Sequence, residues 1–267
     1  MNSKTQIKPS QSAGGYFSRF AVAIALTCIQ LTSNNASAQS IELSEQTIEQ
    51  AKVLFKQGYD AYSKGDFQQA IRDYTQVIAL IPNDAAAYYN RGIAYDDLKD
   101  YSSAIRDYTQ AIALNPNYAE AYTNRGNAYL GLKEHSSAIR DYTQAIAFNP
   151  NDEDAYDNRG VAYSNLKNYS SAIRDFTQAI VLNPNYAVVY YNRGGTYNDL
   201  KDYASAIRDY TQAIALNPNY ADAYHNRAAS FASKNDYRNA TRDARKACSL
   251  GGCEALEYLR QNGWVRD

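Results

Sequence analysis

The chain has 267 residues, with 27 Lys and Arg against 28 Asp and Glu. That balance, with no basic run or basic face in evidence, sets nucleic acid aside as a ligand. Two histidines, no glycine-rich phosphate loop, no metal-ligand cluster and no nucleophile motif give catalysis little support.

Residues 1–38 differ in kind from the rest. Lys4, Lys8 and Arg19 precede an apolar run over 20–31, and Ala36-Ser37-Ala38 follows. Basic region, short apolar region and small-x-small site are the order of a secretory signal peptide. The run falls short of the roughly 20 residues needed to span a bilayer. A lipoprotein signal at Cys28 and an uncleaved anchor are the weaker readings. The expectation is cleavage after Ala38 and export to the periplasm or another extracytoplasmic compartment, with no membrane insertion afterwards. Losing three of the 27 cations leaves 24 against 28 carboxylates, a net charge of −4.

Residues 39–50 read as an entry segment, in which Ser44 is placed to cap the next helix. Residues 51–250 then repeat, and the prolines fix the period: Pro82, Pro116, Pro150, Pro184 and Pro218 are spaced by 34. Within the unit at 85–118, residues 88–98 and 102–114 carry apolar side chains at three- and four-residue spacing, so each half is an amphipathic helix. Lys99-Asp100 joins the halves, and Asn115-Pro116-Asn117 ends the second, since proline cannot continue a helix. One such pair cannot bury its own apolar face, so neighbours must stack. The first of six copies is irregular in its first helix, and the sixth decays. There Gly is replaced by Ala228, Tyr by Ala244 and the closing proline by Ser249-Leu250-Gly251-Gly252. Residues 251–267 read as a cap: a helix over about 254–262, with Leu256 and Leu259 on one side, stopping at Gly263; an interaction patch of Leu256, Leu259 and Trp264 is the weaker reading.

The unit resembles the tetratricopeptide repeat. That motif places large residues at positions 4, 11, 17 and 24, small ones at 8, 20 and 27, and proline at 32. With Ala85 as position 1, this chain supplies Tyr88, Tyr95, Tyr101 and Tyr108, then Gly92, Ala104 and Ala111, then Pro116. The recurring large positions account for most of the 26 tyrosines as core filler. The resemblance covers roughly 51–247 and implies an all-α, right-handed α-solenoid with a binding role and no cofactor. The chain departs from the motif at position 7, usually apolar, which here is Arg91, Arg125, Arg159, Arg193 and Arg227.

Two polar columns recur and need their own account. Position 23 is Asp73, Asp107, Asp141, Asp175, Asp209 and Asp243. Its spacing from the small residues at 20 and 27 turns it toward the first helix, where a carboxylate is costly unless paired. The position-7 arginines face the same seam, and a guanidinium suits a bidentate partner. Pairs such as Arg91–Asp107 are expected. Position 6 is Asn90, Asn124, Asn158, Asn192 and Asn226. Asparagine is a mediocre helix former, so the column needs a reason. One is a hydrogen bond to a neighbouring repeat. The other, favoured, is a ladder of amides that grips an extended peptide backbone, each amide offering donor and acceptor. It is similar to the asparagine ladder in the tetratricopeptide arm of the O-linked N-acetylglucosamine transferases. Nothing here resembles their catalytic domain.

Around that ladder, Tyr89, Asp96, Asp97, Glu120, Asp154, Asp157, Tyr191, Asp199, Asp222 and His225 are the expected groove residues. Their acidity argues against a carboxylate clamp, which needs Lys and Arg, and favours a neutral or basic protein segment as partner. His135 occupies a ring position, and His225 reads as a solvated polar residue. The expected function is a non-catalytic interaction scaffold, with a self-assembling element stacked through terminal repeats as the alternative.

Cys248 and Cys253 remain after signal removal. They read as a disulfide in an exported chain or as two small core residues at a helix joint. Two cysteines five apart with no nearby histidine cannot fill a four-ligand metal site. Intact-mass analysis of the exported chain checks both readings together. The mass should correspond to a chain beginning at Gln39 and lacking two thiol hydrogens. Met1 retained on cytoplasmic protein would overturn export, and two free thiols on exported protein would end the disulfide.

Overall fold

A computed structural model describes residues 45–264. The expected signal peptide, its cleavage site and the capping role of Ser44 lie outside the described residues. Among those described there are thirteen helices and no strands, and the chain divides between Leu114 and Asn115 into two compact units. The first holds α1 (Glu45–Ser63), α2 (Phe67–Leu80), α3 (Ala85–Asp97) and α4 (Tyr101–Leu114). In the second, α5 (Ala119–Gly131) pairs with α6 (His135–Phe148), and α7 (Glu153–Asn165) with α8 (Tyr169–Leu182). It continues with α9 (Ala187–Asp199) and α10 (Tyr203–Leu216), α11 (Ala221–Ser233) and α12 (Tyr237–Ser249), and closes on α13 (Glu254–Gln261). The first helix therefore starts inside the entry segment read over 39–50.

Every pair is built by the same local chemistry. The first helix stops on one left-handed residue: Lys99, Lys133, Lys167, Lys201 and Asn235 have φ of 60–62°, and Gly65 has 79°. The next residue caps the second helix. Asp66, Asp100, Asn168, Asp202 and Asp236 each accept a hydrogen bond from the backbone N–H three residues on. Glu134 stands at this place before α6 and makes no such bond, its longer side chain being a poor match for the geometry. Bonds from Ser103, Ser205 and Asn239 hold the Asp100, Asp202 and Asp236 carboxyls below the ordinary carboxylate range.

Helices within a pair meet through a small residue and a ring. A Cβ placed on Gly92, Gly126, Gly160 or Gly194 would lie 2.7–2.9 Å from the ring of Tyr108, Tyr142, Phe176 or Tyr210. Only glycine permits that approach at this backbone separation. In the α11–α12 pair both places are small, with buried Ala228 and Ala244 in one cluster with Leu256 and Leu259 of α13. His135 sits partly buried at the ring position, as expected. Burial and nearby Lys133 hold its imidazole below the ordinary histidine range.

In the second unit α5, α7, α9 and α11 touch one another in series, whereas the alternate helices α6, α8, α10 and α12 do not. A row that touches along one side and splays along the other is curved, so the first helices form its inner side. At its end α13 packs on α11 and α12, burying Ala255, Leu256 and Leu259 against Ala228, Ala240 and Ala244. A disulfide joins Cys248 to Cys253, with Cα atoms 4.0 Å apart, and ties the end of α12 to the start of α13. Trp264 returns to stack on Tyr237 at 4.6 Å between ring centroids. No helix among the described residues is long and apolar enough to cross a membrane.

Candidate functional site

The recurring arginines and aspartates meet across each helix seam. In Arg91–Asp107, Arg125–Asp141, Arg159–Asp175, Arg193–Asp209 and Arg227–Asp243, Nε donates at 2.6–2.7 Å. Nη2 donates to the other carboxylate oxygen at 2.8–3.1 Å. The aspartate side chains are only 1–9 % exposed, and a bidentate guanidinium satisfies both oxygens of each buried carboxylate. Such a pair fixes register more than it adds net stability. The first repeat has Gln57 where the others have arginine, and buried Asp73 there accepts from Gln69 Nε2 at 2.7 Å.

The arginines also reach into the preceding repeat, which the sequence reading did not foresee. Nη1 of Arg91, Arg159, Arg193 and Arg227 donates to Oγ1 of Thr75, Thr143, Thr177 and Thr211 at 2.9–3.1 Å. Each threonine spends its own hydrogen on a carbonyl one turn back, 2.6–2.7 Å away, leaving lone pairs for the guanidinium. Each of the five guanidiniums also lies 5.5–5.8 Å over the ring three residues before it, from Tyr88 to Tyr224. The signal was in the sequence: a β-branched threonine recurs at position 25 of exposed helices.

The asparagine column corrects an expectation. The Nδ2 donors of Asn90, Asn158, Asn192 and Asn226 bond within the protein instead of standing free to hold a peptide, while Asn192 Oδ1 is buried without a hydrogen-bond partner. Asn192 Nδ2 donates to Asp157 Oδ1 at 3.0 Å, and Asn226 Nδ2 to the Tyr191 hydroxyl at 3.0 Å. Both bonds run from position 6 of one repeat to position 5 of the repeat before. Where position 5 is Thr123, Asn158 Nδ2 instead donates at 3.0 Å to Asn127 Oδ1, which also accepts from the Tyr142 hydroxyl at 2.7 Å. Asn90 Nδ2 bonds Ala86 O of its own helix at 2.8 Å. Asn124, Asn158 and Asn192 are 6, 3 and 2 % exposed, too deep to meet a ligand. The physical reason is the inner curvature, which brings consecutive first helices close enough for position 6 to face a neighbouring helix.

Tyr89, Asp157 and Tyr191 are likewise withdrawn from the expected groove, since all three are buried. Tyr89 packs its ring 5.9 Å from that of Tyr108, and burial pushes the Tyr191 hydroxyl up to about 12. Asp154 accepts from the Tyr186 hydroxyl, and Asp97 from the Tyr62 hydroxyl. Glu120, Asp154 and His225 are partly exposed, while Asp97, Asp199 and Asp222 are exposed. Asp96 stands apart. Its Oδ1 is buried without a hydrogen-bond partner, and burial together with neighbouring Asp97 pushes its carboxyl up to about 7.

The expectation of no basic face is also corrected. Arg238, Arg242, Arg245 and Lys246 are exposed at i, i+4, i+7 and i+8 along α12, a spacing that gathers them on one face. Even overall charge hid a local concentration.

Helix pairs of one design, stacked through recurring small, large and polar positions, define a helical repeat protein. Profiles of the tetratricopeptide repeat match residues 85–118, 119–152, 154–186 and 187–220, and a further TPR-repeat profile matches 58–99. The chain belongs to the tetratricopeptide repeat family. It is 36% identical over 56 residues to the "TPR repeat-containing thioredoxin TDX" of Oryza sativa subsp. japonica, which covers 21% of this chain and 18% of that protein. The solved structure of MamA protein superposes with a TM-score of 0.60 at 27% identity, covering 65% of this chain and 94% of that one. PilF of Pseudomonas aeruginosa gives a TM-score of 0.69 at 17% identity over 81% and 100% of the two chains, a likeness of fold alone. YrrB, described as a TPR protein with an unusual peptide-binding site, gives 0.59 at 21% identity over 70% and 97%, again a likeness of fold.

Both ladders are open to measurement by equilibrium denaturation. Asp141→Ala should cost about 3–5 kcal/mol, because it strands the Arg125 guanidinium in a buried seam. Asn192→Ala should cost about 1–3 kcal/mol, because buried Asp157 loses a hydrogen bond across the repeats. A loss within about 0.5 kcal/mol at either site would show those groups to be solvated.

Proposed function

We propose that this chain is a non-catalytic scaffold that holds a neutral or basic protein segment against the inner first-helix face. The asparagine ladder is left out of that contact, because its amide donors bond within the protein. Recognition falls instead to carboxylates left near the surface, each unit offering its own: Asp96 and Asp97 on the first, Asp199 and Asp222 on the second. The scaffold works outside the cytoplasm, on the reading of residues 1–38 as an export signal.

The observation that carries the reading is Asp96. A buried carboxylate oxygen without a donor, beside a second carboxylate, is an arrangement that a folded chain gains nothing from alone. An arriving lysine or arginine supplies both the missing donor and the opposite charge. The sign of the pH dependence follows. Asp96 is raised above its unfolded value, so its ionisation costs folded stability as pH rises from about 4 through about 7. The same ionisation strengthens the hold on a cation.

Fluorescence polarisation with short extended peptides, alike except for lysine, glutamine or glutamate at alternate positions, tests this. The lysine peptide should bind tightest, should tighten as pH rises through 7, and should weaken with salt. Asp96→Asn with Asp97→Asn should remove the pH step and lower affinity severalfold while raising thermal stability at pH 8. Equal binding of the glutamate peptide, or an unchanged affinity in the variant, would contradict the proposal.

A further inference from the structure

We infer that the outer face of α12, with the aromatic cluster beside it, is a second interaction surface and that its partner is an acidic protein helix. Arg238, Arg242, Arg245 and Lys246 share one face of this helix, about 12 Å from first to last at 1.5 Å per residue. Arg242 leans on Asp243 at 3.1 Å while remaining 62 % exposed. Arg238, Arg245 and Lys246 have no ion pair among the described residues. Of the carboxylates nearby in the chain, Asp236 caps the helix, with Arg238 and Arg242 acting on it only through their charge, and Asp243 is buried against Arg227.

The internal comparison shows that this charge is an addition. At the position of Arg238 the earlier copies carry Gln68, Ser102, Ser136, Ser170 and Ala204. At that of Arg245 they carry Thr75, Thr109, Thr143, Thr177 and Thr211, and at that of Lys246 a glutamine. Three neutral positions thus become cationic only in the last copy. A solubilising terminal cap does not account for it. The open end of the array is covered by α13, and a cap needs mixed charge rather than one sign.

The kind of partner follows from composition and shape. Three of the four cations are arginine, whose planar fork matches carboxylates in pairs. Stacked on Tyr237, the first residue of α12, is Trp264, 37 % exposed, with Tyr258, 44 % exposed, at its edge. Arginine with tryptophan and tyrosine is the make-up of protein–protein hot spots. A basic face about two turns long suits a second helix whose carboxylates share one face, with an apolar side chain against Trp264. The surface is independent of the groove proposed above.

The single tryptophan makes the test direct. The full chain is titrated with a short helical peptide carrying glutamates at i, i+4, i+7 and i+8 and one leucine. Emission from Trp264 and polarisation of the labelled peptide are followed together. Parallel titrations use vesicles of phosphatidylglycerol and phosphatidylcholine, and polyuridine RNA. The expected result is a saturable, salt-sensitive response to the peptide. It should weaken about tenfold or more in the triple variant Arg238→Ser, Arg245→Thr, Lys246→Gln. Those replacements are the residues that earlier copies carry in folded helices, and the melting temperature confirms that the variant stays folded. Asp97→Asn should leave this response unchanged. No response to the peptide, an equal response in the triple variant, or a response confined to vesicles or RNA would overturn the inference.

Discussion

The interaction on which the rest depends is the contact of one arginine with three groups. Each position-7 guanidinium closes a bidentate pair with a buried aspartate of its own repeat, and four of them also bond a threonine of the repeat before. The first contact sets how the two helices of a pair meet. The second sets how one pair follows the next. An array of small-residue seams can slide, since alanine and glycine offer little to choose between registers. A buried charge with one satisfied geometry does not permit that, because a slip would strand it. The tyrosine over each guanidinium narrows the choice further.

The inner side shows the same economy through side-chain amides. Asn192 to Asp157, Asn226 to Tyr191, and Asn158 to Asn127 each span two consecutive first helices. These bonds explain why asparagine is retained in mid-helix despite its propensity. They also explain why the proposed function falls to side chains one or two turns away from it. Asp97, Asp199 and Asp222 keep their exposure because they lie at the ends of the first helices, where consecutive copies no longer press together.

Much of this was legible in the sequence. The proline spacing, the Gly–Tyr complement and the arginine–aspartate seam follow from helical period and the cost of burying charge. The Arg91–Asp107 geometry needed no coordinates to expect. What did not follow was distance between repeats. A position-6 amide reads the same whether it faces solvent or a neighbour 3.0 Å away, and only the closeness of consecutive first helices decides. For that reason Tyr89, Asp157 and Tyr191 were assigned to the groove and are buried. Composition also misled at the other end. Near-neutral totals concealed Arg238, Arg245 and Lys246, because averaging over the chain erases what one helix face concentrates.

The most direct test of the clamp between repeats is a double-mutant cycle joining Thr177→Val and Arg193→Met, read by equilibrium denaturation. The cost of stranding Asp209 enters both arms carrying the arginine replacement and cancels. A coupling of roughly 1–3 kcal/mol between Thr177 and Arg193 is predicted for a hydrogen bond to a charged group. Additivity within about 0.3 kcal/mol would mean that the arginine holds only its own repeat, and the account of how the array is joined would fail.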